Sequence, residues 1–391
     1  MIRHKAAAWA ILLTLLVMTS SWGLLPVAKA EQTDLATEPA AWSDDTLLSS
    51  PELLDKMKIP VKAKGIYLTG WSAGGSNFQK LLNLVNQTEL NAMVIDMKED
   101  EGRVTYKSGI PLVQQTKADG TRFIADIDQL LQTLRENHVY PIARIVCFKD
   151  PYLAGKKPEW AMQRKTGGIW SDSKGVVWID PYRKEVWDYN IAIAKEAAKK
   201  GFKEIQFDYV RFPDNGKRVD QEVAFYQQNG RTKQQVIAEF LAYARKELAP
   251  YHVYLSADIF GLVPSVSDDM GIGQKWELVS PHVDYISPMM YPSHYANGTY
   301  GLAVPDARPY ETIRNGLLDA RKKDDLIKAQ HQRPATIRPW YQDFTARWVK
   351  GHIPYGPREV LAQIKAGQEL GVDQYLIWDA ANSYSEGAWR K

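Results

Sequence analysis

Two aspartates lie near the carboxyl ends of short, largely apolar segments of the chain, Asp208 in EIQFDYVRF and Asp258 in VYLSADIF. Because burying an unpaired carboxylate is costly, a hydrophobic core gives no reason to place them there. Two carboxyl groups with different pKa values can hydrolyse a glycosidic bond, since one protonates the leaving oxygen while the other attacks the anomeric carbon or activates water. We interpret Asp208 as the nucleophile or base and Asp258 as the acid. Asp96 or Asp379 could replace Asp258 in this pair.

Further polar and aromatic residues end or follow similar apolar segments. Aromatic rings can stack on sugar rings, and arginine orients carboxylates or binds acidic substituents of a sugar. The alternatives are a structural ion pair for a single aspartate, such as Asp208 with Arg144 or Arg211, and packing at a rim for an aromatic residue. The residues that we predict to bind substrate are Trp71, Asp96, Lys98, Arg144, Tyr209, Arg211, Tyr291, His294, Arg338, Trp340, Gln342, Trp378, Asp379 and Asn382.

Other chemistries have less support in the sequence. The seven histidines form no H-E-x-x-H motif or other close metal-binding pair, and neither a G-x-S-x-G motif nor a Walker loop occurs. A magnesium site built from Asp96, Glu99 and Asp208 is one alternative, and a metal-dependent phosphoesterase or deacetylase is another. We predict a site with no metal and no cofactor.

Eight short segments rich in β-branched and aromatic residues position these candidates. Near-continuous apolar runs are typical of strands that are buried on both faces. Amphipathic helical patterns such as Asn77–Leu90 and Phe123–His138 separate most of them, and Gly201 stands where a helix C-cap belongs. The eight predicted strands are Gly65–Gly70, Ala92–Met97, Tyr140–Phe148, Glu204–Phe212, Val253–Phe260, Val283–Tyr291, Ala335–Tyr341 and Gln374–Asp379.

This alternation predicts an α/β fold, a (β/α)8 TIM barrel that forms a single catalytic domain. An open doubly wound sheet is the alternative, but Gly74 and Gly75 lack the spacing of a dinucleotide-binding turn. The uneven intervals between strands predict long βα loops over the site, and the last helix is expected to be short or absent. In a barrel the carboxyl ends of all strands meet at one face, so the candidate residues should converge there.

The first 30 residues have the pattern of an export signal. A short basic region precedes the apolar run Ala6–Met18, and Ala28-Lys29-Ala30 is an A-x-A cleavage site. An uncleaved membrane anchor is the alternative, but the run is short for a span of roughly 20 residues. We therefore predict a signal peptide over 1–30, a leader or linker over 31–63 and the barrel over 64–391. The mature protein would be secreted or associated with the cell envelope, without stable membrane insertion.

The charge balance bears on the class of partner. The chain has 49 Lys and Arg residues and 46 Asp and Glu residues, and the whole excess of three cations lies in the first 30 residues. The remainder is therefore neutral, unlike the basic surface of a protein that binds nucleic acid. We predict a carbohydrate partner and no nucleic acid, and leave the oligomeric state open.

Several longer motifs resemble one known family. EIQFDYVRFP at Glu204–Pro213, SADIFG at Ser256–Gly261 and SPMMYPSHY at Ser287–Tyr295 are similar to signatures of the DUF4015 family, also called GHL13, as are RPWYQDF and WDAANSYS further on. The resemblance extends from Lys64 to the C-terminus. It implies a TIM barrel of the glycoside hydrolase type and a carbohydrate substrate, without specifying the sugar. Met289–Tyr291 is also similar to chitinase-like barrels, but their D-x-x-D-x-D-x-E run is absent here.

Two functional hypotheses follow. The first is an exported glycoside hydrolase that cleaves a polysaccharide by a two-carboxylate acid/base mechanism. The second is a non-catalytic glycan-binding or envelope-assembly protein that keeps the barrel without the chemistry. The aromatic residues fit both hypotheses, so the geometry of the carboxylates has to discriminate between them.

Overall fold

The structure is a computed structural model that describes residues 60–389. The predicted signal peptide and nearly all of the predicted leader lie outside these residues. Between residues 60 and 389, no helix combines the length and the apolar composition needed to cross a membrane.

Eight parallel strands form the centre of the molecule and close into a barrel. β8 pairs with β1, and the second part of β7 pairs with both β6 and β8, which completes the ring. Pro339 interrupts β7, because proline has no N–H to donate to a neighbouring strand. The ring confirms the predicted barrel and excludes the open sheet. The strands are β1 Lys64–Leu68, β2 Ala92–Lys98, β3 Tyr140–Val146, β4 Glu204–Asp208, β5 Tyr254–Phe260, β6 Tyr285–Met289, β7 Thr336–Ile337 with Trp340–Gln342, and β8 Tyr375–Trp378.

Helices surround this barrel in the connections between strands. After β8 the described residues contain only a 3₁₀ turn at Glu386–Ala388, as expected for a last helix that is short or absent. Gly201 follows the third of the longer helices with a φ of 116°, the left-handed conformation that glycine adopts readily at this position. The helices that connect consecutive strands are α1 Asn77–Gln87, α2 Ile127–Glu136, α3 Lys184–Lys200, α4 Lys233–Leu248, α5 Trp276–Val279, α6 Pro309–Ala329 and α7 Pro357–Gln368. Shorter helices lie in the loops at Gly70–Gly74, Pro111–Thr116, Pro151–Lys156 and Gly216–Glu222.

The alternation of side chains along β4 shows how the strands carry polar residues inward. Ile205 and Phe207 belong to the apolar layer under the helices, where the Phe207 ring lies 5.4 Å from that of Phe240 on α4. Because side chains of a strand point alternately to its two faces, Glu204 and Asp208 face the interior of the barrel. The pattern therefore places Asp208 inside the barrel at the carboxyl end of β4.

The loops after β3 and β4 are long and fold together. Gln163–Arg164 pairs antiparallel with Val223–Ala224, which joins the two loops in a small sheet. Trp170 is buried there and its Nε1 donates a hydrogen bond to Glu222 Oε2 over 2.7 Å. Trp170 of the loop after β3 therefore stabilises the association of the two loops.

Candidate active site

A cavity of about 280 Å³ opens at the carboxyl ends of the barrel strands. This is the face at which TIM-barrel enzymes build their active sites. Residues from several strand ends and from the loops that follow them surround it. The lining residues are Asp100, Arg144, Lys174, Asp208, Tyr209, Arg211, Asp214, Asp258, Phe260, Met289, Tyr291, His294, Trp340 and Trp378.

Three donors hold the carboxylate of Asp208 in place. Arg144 of β3 donates from Nε over 2.9 Å and from Nη2 over 2.6 Å, both to Oδ2. The backbone N–H of Tyr209 donates to Oδ1 over 2.6 Å. Tyr209 has a φ of 46°, a left-handed conformation that a residue other than glycine seldom adopts outside functional sites and turns. Charge-assisted hydrogen bonds of this kind fix an ionised carboxylate in one orientation.

The guanidinium of Arg144 is shared by three carboxylates. Besides Asp208 it contacts Asp96 at 2.6 Å and Asp100 at 2.8 Å, and only 1% of its own side chain is exposed. Burial alone would lower the pKa of Arg144, but the three surrounding carboxylates hold it well above its ordinary value. One buried positive charge thus faces three acidic groups.

Asp96 is the most deeply placed of these three acids. Burial, the largest effect, raises its pKa to about 6, although the positive charge of Arg144 acts in the opposite direction. The hydroxyl of Tyr67 on β1 donates a hydrogen bond to Asp96 Oδ2 over 2.6 Å. Asp96 therefore supports Arg144 from behind and does not itself line the cavity.

Asp258 lies beside Asp208 on the neighbouring strand. The register pairs Gln206 with Ser256 and Phe207 with Ala257, so the two aspartates occupy adjacent positions at the ends of β4 and β5. Burial, and after it the negative charge of Asp208, raises the pKa of Asp258 well above its ordinary value. Its Oδ1 accepts a hydrogen bond of 2.7 Å from Nε1 of Trp340. The two aspartates thus have different surroundings, since Arg144 and a backbone N–H donate to Asp208, whereas Asp258 is buried and accepts from Trp340.

Aromatic rings next to the two aspartates form one wall of the cavity. Trp378 stacks on Tyr67 with centroids 4.0 Å apart and meets Trp340 edge to face at 5.6 Å. Tyr291 lies 6.5 Å from Trp378, and His294 continues from Tyr291 at 5.3 Å. Burial lowers the pKa of His294, so this end of the wall is uncharged near neutral pH.

The structure brings most of the predicted site residues to one cavity. Two of those predicted to bind substrate, Asp379 and Asn382, hold the chain after β8 beside β1 instead, since Asn382 accepts from the Thr69 N–H and Asp379 accepts from two backbone N–H groups of its own turn. Trp71 packs on Phe123 and is 61% exposed, outside the cavity. Those that line the cavity are Asp208, Asp258, Arg144, Tyr209, Arg211, Tyr291, His294, Trp340 and Trp378.

Three predicted polar residues lie elsewhere, with partners of their own. Lys98 is fully buried behind β2, where its Nζ lies 2.6 Å from Asp150. Arg338 is fully buried inside the barrel and pairs with Glu204 at the start of β4. Gln342 is buried beneath the loop after β7 and donates to the Phe344 carbonyl over 2.9 Å. Long polar side chains next to strand ends can point away from the site, and the sequence does not show the direction.

Three charged residues at the cavity are absent from the sequence-based list. Asp100 lies two residues beyond β2, and the acidic run around it, KEDE, is a signal that could have identified it. Asp214 follows the motif RFP, next to the predicted Arg211, with which it forms an ion pair of 2.9 Å. Lys174 belongs to the loop after β3 and comes to the cavity through loop folding alone, for which the sequence offers no signal.

A (β/α)8 barrel with two aspartates at adjacent strand ends and an aromatic wall at its carboxyl face is compatible with a protein of the glycoside hydrolase type. Comparison with known proteins agrees, because residues 65–384 match a family described as "Putative glycosyl hydrolase domain". The chain belongs to this family, DUF4015, as its motifs indicated. No curated protein is similar enough to match the chain.

Solved structures of similar proteins add to this comparison. A hypothetical protein from Ruminiclostridium thermocellum ATCC 27405 is 44% identical, over 53% of this chain and 98% of its own, with a TM-score of 0.46. The PgaB (BpsB) glycoside hydrolase domain from Bordetella bronchiseptica is 12% identical, over 82% and 94%, with a TM-score of 0.59. The spore cortex-lytic enzyme SleL from Bacillus megaterium QM B1551 is 12% identical, over 84% and 74%, with a TM-score of 0.50. At such low identity the last two show a shared fold.

Proposed function

We propose that this protein is an exported glycoside hydrolase that cleaves a polysaccharide with Asp208 and Asp258 as its catalytic pair. One observation carries the proposal. Asp208 is held by Arg144 and a backbone N–H, whereas Asp258, at the adjacent position, has a pKa raised by burial and by the charge of Asp208. Neighbouring carboxyl groups whose environments separate their pKa values are the usual sign of an acid and base pair.

The chemistry assigned to the pair is simple. Asp258 donates its proton to the glycosidic oxygen as the bond to the anomeric carbon breaks, so the leaving sugar departs as a neutral alcohol. Asp208 either attacks the anomeric carbon, forming a glycosyl ester that a water molecule deprotonated by Asp258 then hydrolyses, or removes a proton from a water molecule that itself attacks the anomeric carbon. Positions on adjacent strands are about 4.8 Å apart, so both groups can reach one glycosidic bond. The aromatic wall offers ring faces to the sugar on which they act.

The broader parts of the proposal have separate support. The family description supports glycosidic bonds as the target. The A-x-A pattern at Ala28–Ala30 supports export. Polysaccharide as the substrate is supported by a cavity that is open at the barrel mouth and bordered by aromatic rings.

The test uses the purified chain from Glu31 onward and a panel of bacterial wall and plant polysaccharides. Asp208→Asn and Asp258→Asn should each reduce kcat on a cleaved polymer by roughly 10²- to 10⁴-fold, the usual contribution of an acid or base. Asp325→Asn on the outer helix α6 is the matched control, since its side chain is 73% exposed, and it should retain the parent activity. Turnover by Asp208→Asn within a few-fold of the parent would show the assignment to be wrong. The anomer released first, read by NMR, distinguishes direct attack by Asp208 from activation of water.

A second function is favoured by one specific observation. Both carboxyl groups already have protein partners: Arg144 donates hydrogen bonds to Asp208, and Trp340 donates one to Asp258. A barrel that only binds a glycan would keep the aromatic wall and need no free acid. Saturable binding of a polysaccharide by the parent, with no reducing ends released over days, would favour this non-catalytic function.

A further inference from the structure

One large aromatic side chain lies outside the cavity but beside it, and is exposed to solvent. Trp348 lies in the loop after β7 and is 69% exposed. One face of its indole stacks on Phe344, with centroids 6.0 Å apart and an angle of 21° between the rings. The stacking supports the ring from one side, and most of the side chain remains exposed to solvent. An exposed tryptophan of this kind contributes little to the hydrophobic core, and its contacts with Phe344 and with His294 of the cavity distinguish it from an isolated exposed residue.

The loop that carries Trp348 is held by buried polar groups beneath it. Gln342 donates from Nε2 to the Phe344 carbonyl over 2.9 Å and to Asp306 Oδ1 over 3.1 Å. The other carboxylate oxygen of Asp306 accepts from the Ile353 N–H over 3.3 Å, and both side chains are fully buried. Such buried hydrogen bonds restrain a loop that would otherwise be mobile. Gln342 thus has a role in positioning that loop, although it does not reach the cavity itself.

The exposed indole is continuous with the aromatic wall of the cavity. His294, which lines the cavity, meets Trp348 edge to face at 6.4 Å. Tyr291 and Trp378 continue the series inward to the carboxylate pair. Burial lowers the pKa of His294, so the link between wall and loop carries no charge near neutral pH. A row of uncharged ring faces that leads away from a reaction centre suits the apolar faces of successive sugar rings.

We propose that Trp348, supported by Phe344, is an outer sugar-binding subsite, and that the substrate is a polysaccharide long enough to contact Trp348 and the Asp208–Asp258 pair together. This rests on the proposed function and extends it, since it assigns a preference for polymers over short glycosides. The occupant of this subsite is a pyranose ring of the polysaccharide, which stacks on the exposed part of the indole.

The experiment compares Trp348→Ala with Tyr226→Ala, a control at an equally exposed aromatic residue (70%) that lies outside the cavity. Binding is measured by affinity electrophoresis and tryptophan fluorescence with each polysaccharide of the panel, using Asp208→Asn so that the polymer stays intact. In the Asp208→Asn background, Trp348→Ala should weaken polymer binding by about threefold to tenfold, because one stacking contact is lost. Tyr226→Ala in the same background should leave polymer binding unchanged. Trp348→Phe, which keeps a ring face, should restore most of the affinity.

Kinetics supply a second readout in the active protein. Trp348→Ala should lower kcat/KM on the polymer about threefold to tenfold more than on a short glycoside, whereas a general loss of structure would lower both equally. Equal polymer affinity in Trp348→Ala and the parent would overturn the subsite. Failure of the parent to bind any polymer would also overturn it. A change in the molecular mass of the protein in solution on Trp348→Ala would assign Trp348 to self-association and overturn the subsite as well. Binding that depends on Trp348 without any hydrolysis would reject the hydrolase and retain the subsite.

Discussion

The electrostatic balance around Arg144 makes a prediction that does not require a known substrate. In Arg144→Met the side chain keeps an apolar stem of similar width but is shorter and loses the charge that faces Asp96, Asp100 and Asp208. Removing one partner of a buried ion pair costs about 3–5 kcal/mol, because the other partner remains buried as an uncompensated charge. Three carboxylates share this arginine, so we expect the upper part of that range at neutral pH, which corresponds to a fall in Tm on the order of 10 °C.

The pH dependence makes this prediction specific. Asp96 already has a pKa raised to about 6 by burial, and loss of the arginine would raise the pKa of its carboxyl further. A buried carboxyl whose folded-state pKa lies above the unfolded value destabilises the protein when it is ionised, and the loss is relieved as pH falls through the folded-state value. The difference in stability between parent and Arg144→Met should therefore be largest at pH 7.5 and should shrink at pH 5.

Urea unfolding of both proteins at the two pH values measures this difference. Arg308→Met is the control, since Arg308 is 58% exposed and pairs only with Glu311 among the ion pairs of the described residues, so the variant should show no such pH dependence. A free-energy difference below about 1 kcal/mol at pH 7.5, the range of a surface ion pair, would refute the reasoning. A larger difference that is the same at both pH values would show that lost packing, and not charge, causes it.

Two further predictions concern other buried charges. Asp258→Asn should be at least as stable as the parent at neutral pH, and its advantage should grow as pH rises. The raised pKa of Asp258 means that ionisation of this carboxyl costs the parent stability, whereas the amide of the variant is neutral and still accepts from Trp340. Thermal unfolding of both proteins between pH 6 and 9 measures this trend, and parallel curves of Tm against pH would contradict it. Lys98→Met should destabilise the protein by about 3–5 kcal/mol, because Asp150 is left unpaired, while the double variant Lys98→Met/Asp150→Leu should recover much of this loss in urea unfolding. Equal stability of the single and double variants would show that the ion pair itself is not the cause.

Eight near-continuous apolar runs that alternate with amphipathic helical patterns were enough to predict the barrel, and the residues of β4 show how such a run can also carry polar side chains. Ile205 and Phe207 alternate with Glu204, Gln206 and Asp208, a period of two that only a strand between a helical layer and a polar interior explains. The same alternation places Asp208 and Asp258 in the interior at adjacent strand ends. Both features are local, and local pattern is what a sequence displays.

The direction of long side chains and the path of loops could not be obtained in this way. Lys98 ends β2 just as Asp208 ends β4, yet it lies on the outer face, where Asn190 of α3 accepts a hydrogen bond of 2.9 Å from it. Lys174 reaches the cavity only because the loop after β3 folds back over the barrel mouth. Such positions depend on contacts between residues far apart in the chain, for which periodicity carries no information.

Arg144 and Arg338 are both buried on barrel strands, but their charged neighbours differ. Among the ion pairs of residues 60–389, Arg338 has one partner, Glu204, and Ser256 and Tyr140 donate to the same carboxylate over 2.5 Å and 3.2 Å, so this ion pair has one charge of each sign. Arg144 contacts three acids, of which Asp100 also pairs with Lys149 at 3.2 Å. A pair that only stabilises the fold has no need of such clustered acids, whereas an active site uses neighbouring charges to shift the pKa of one carboxyl relative to another. The cluster of acids around Arg144 therefore supports the proposal that Asp208 and Asp258 are the reacting pair.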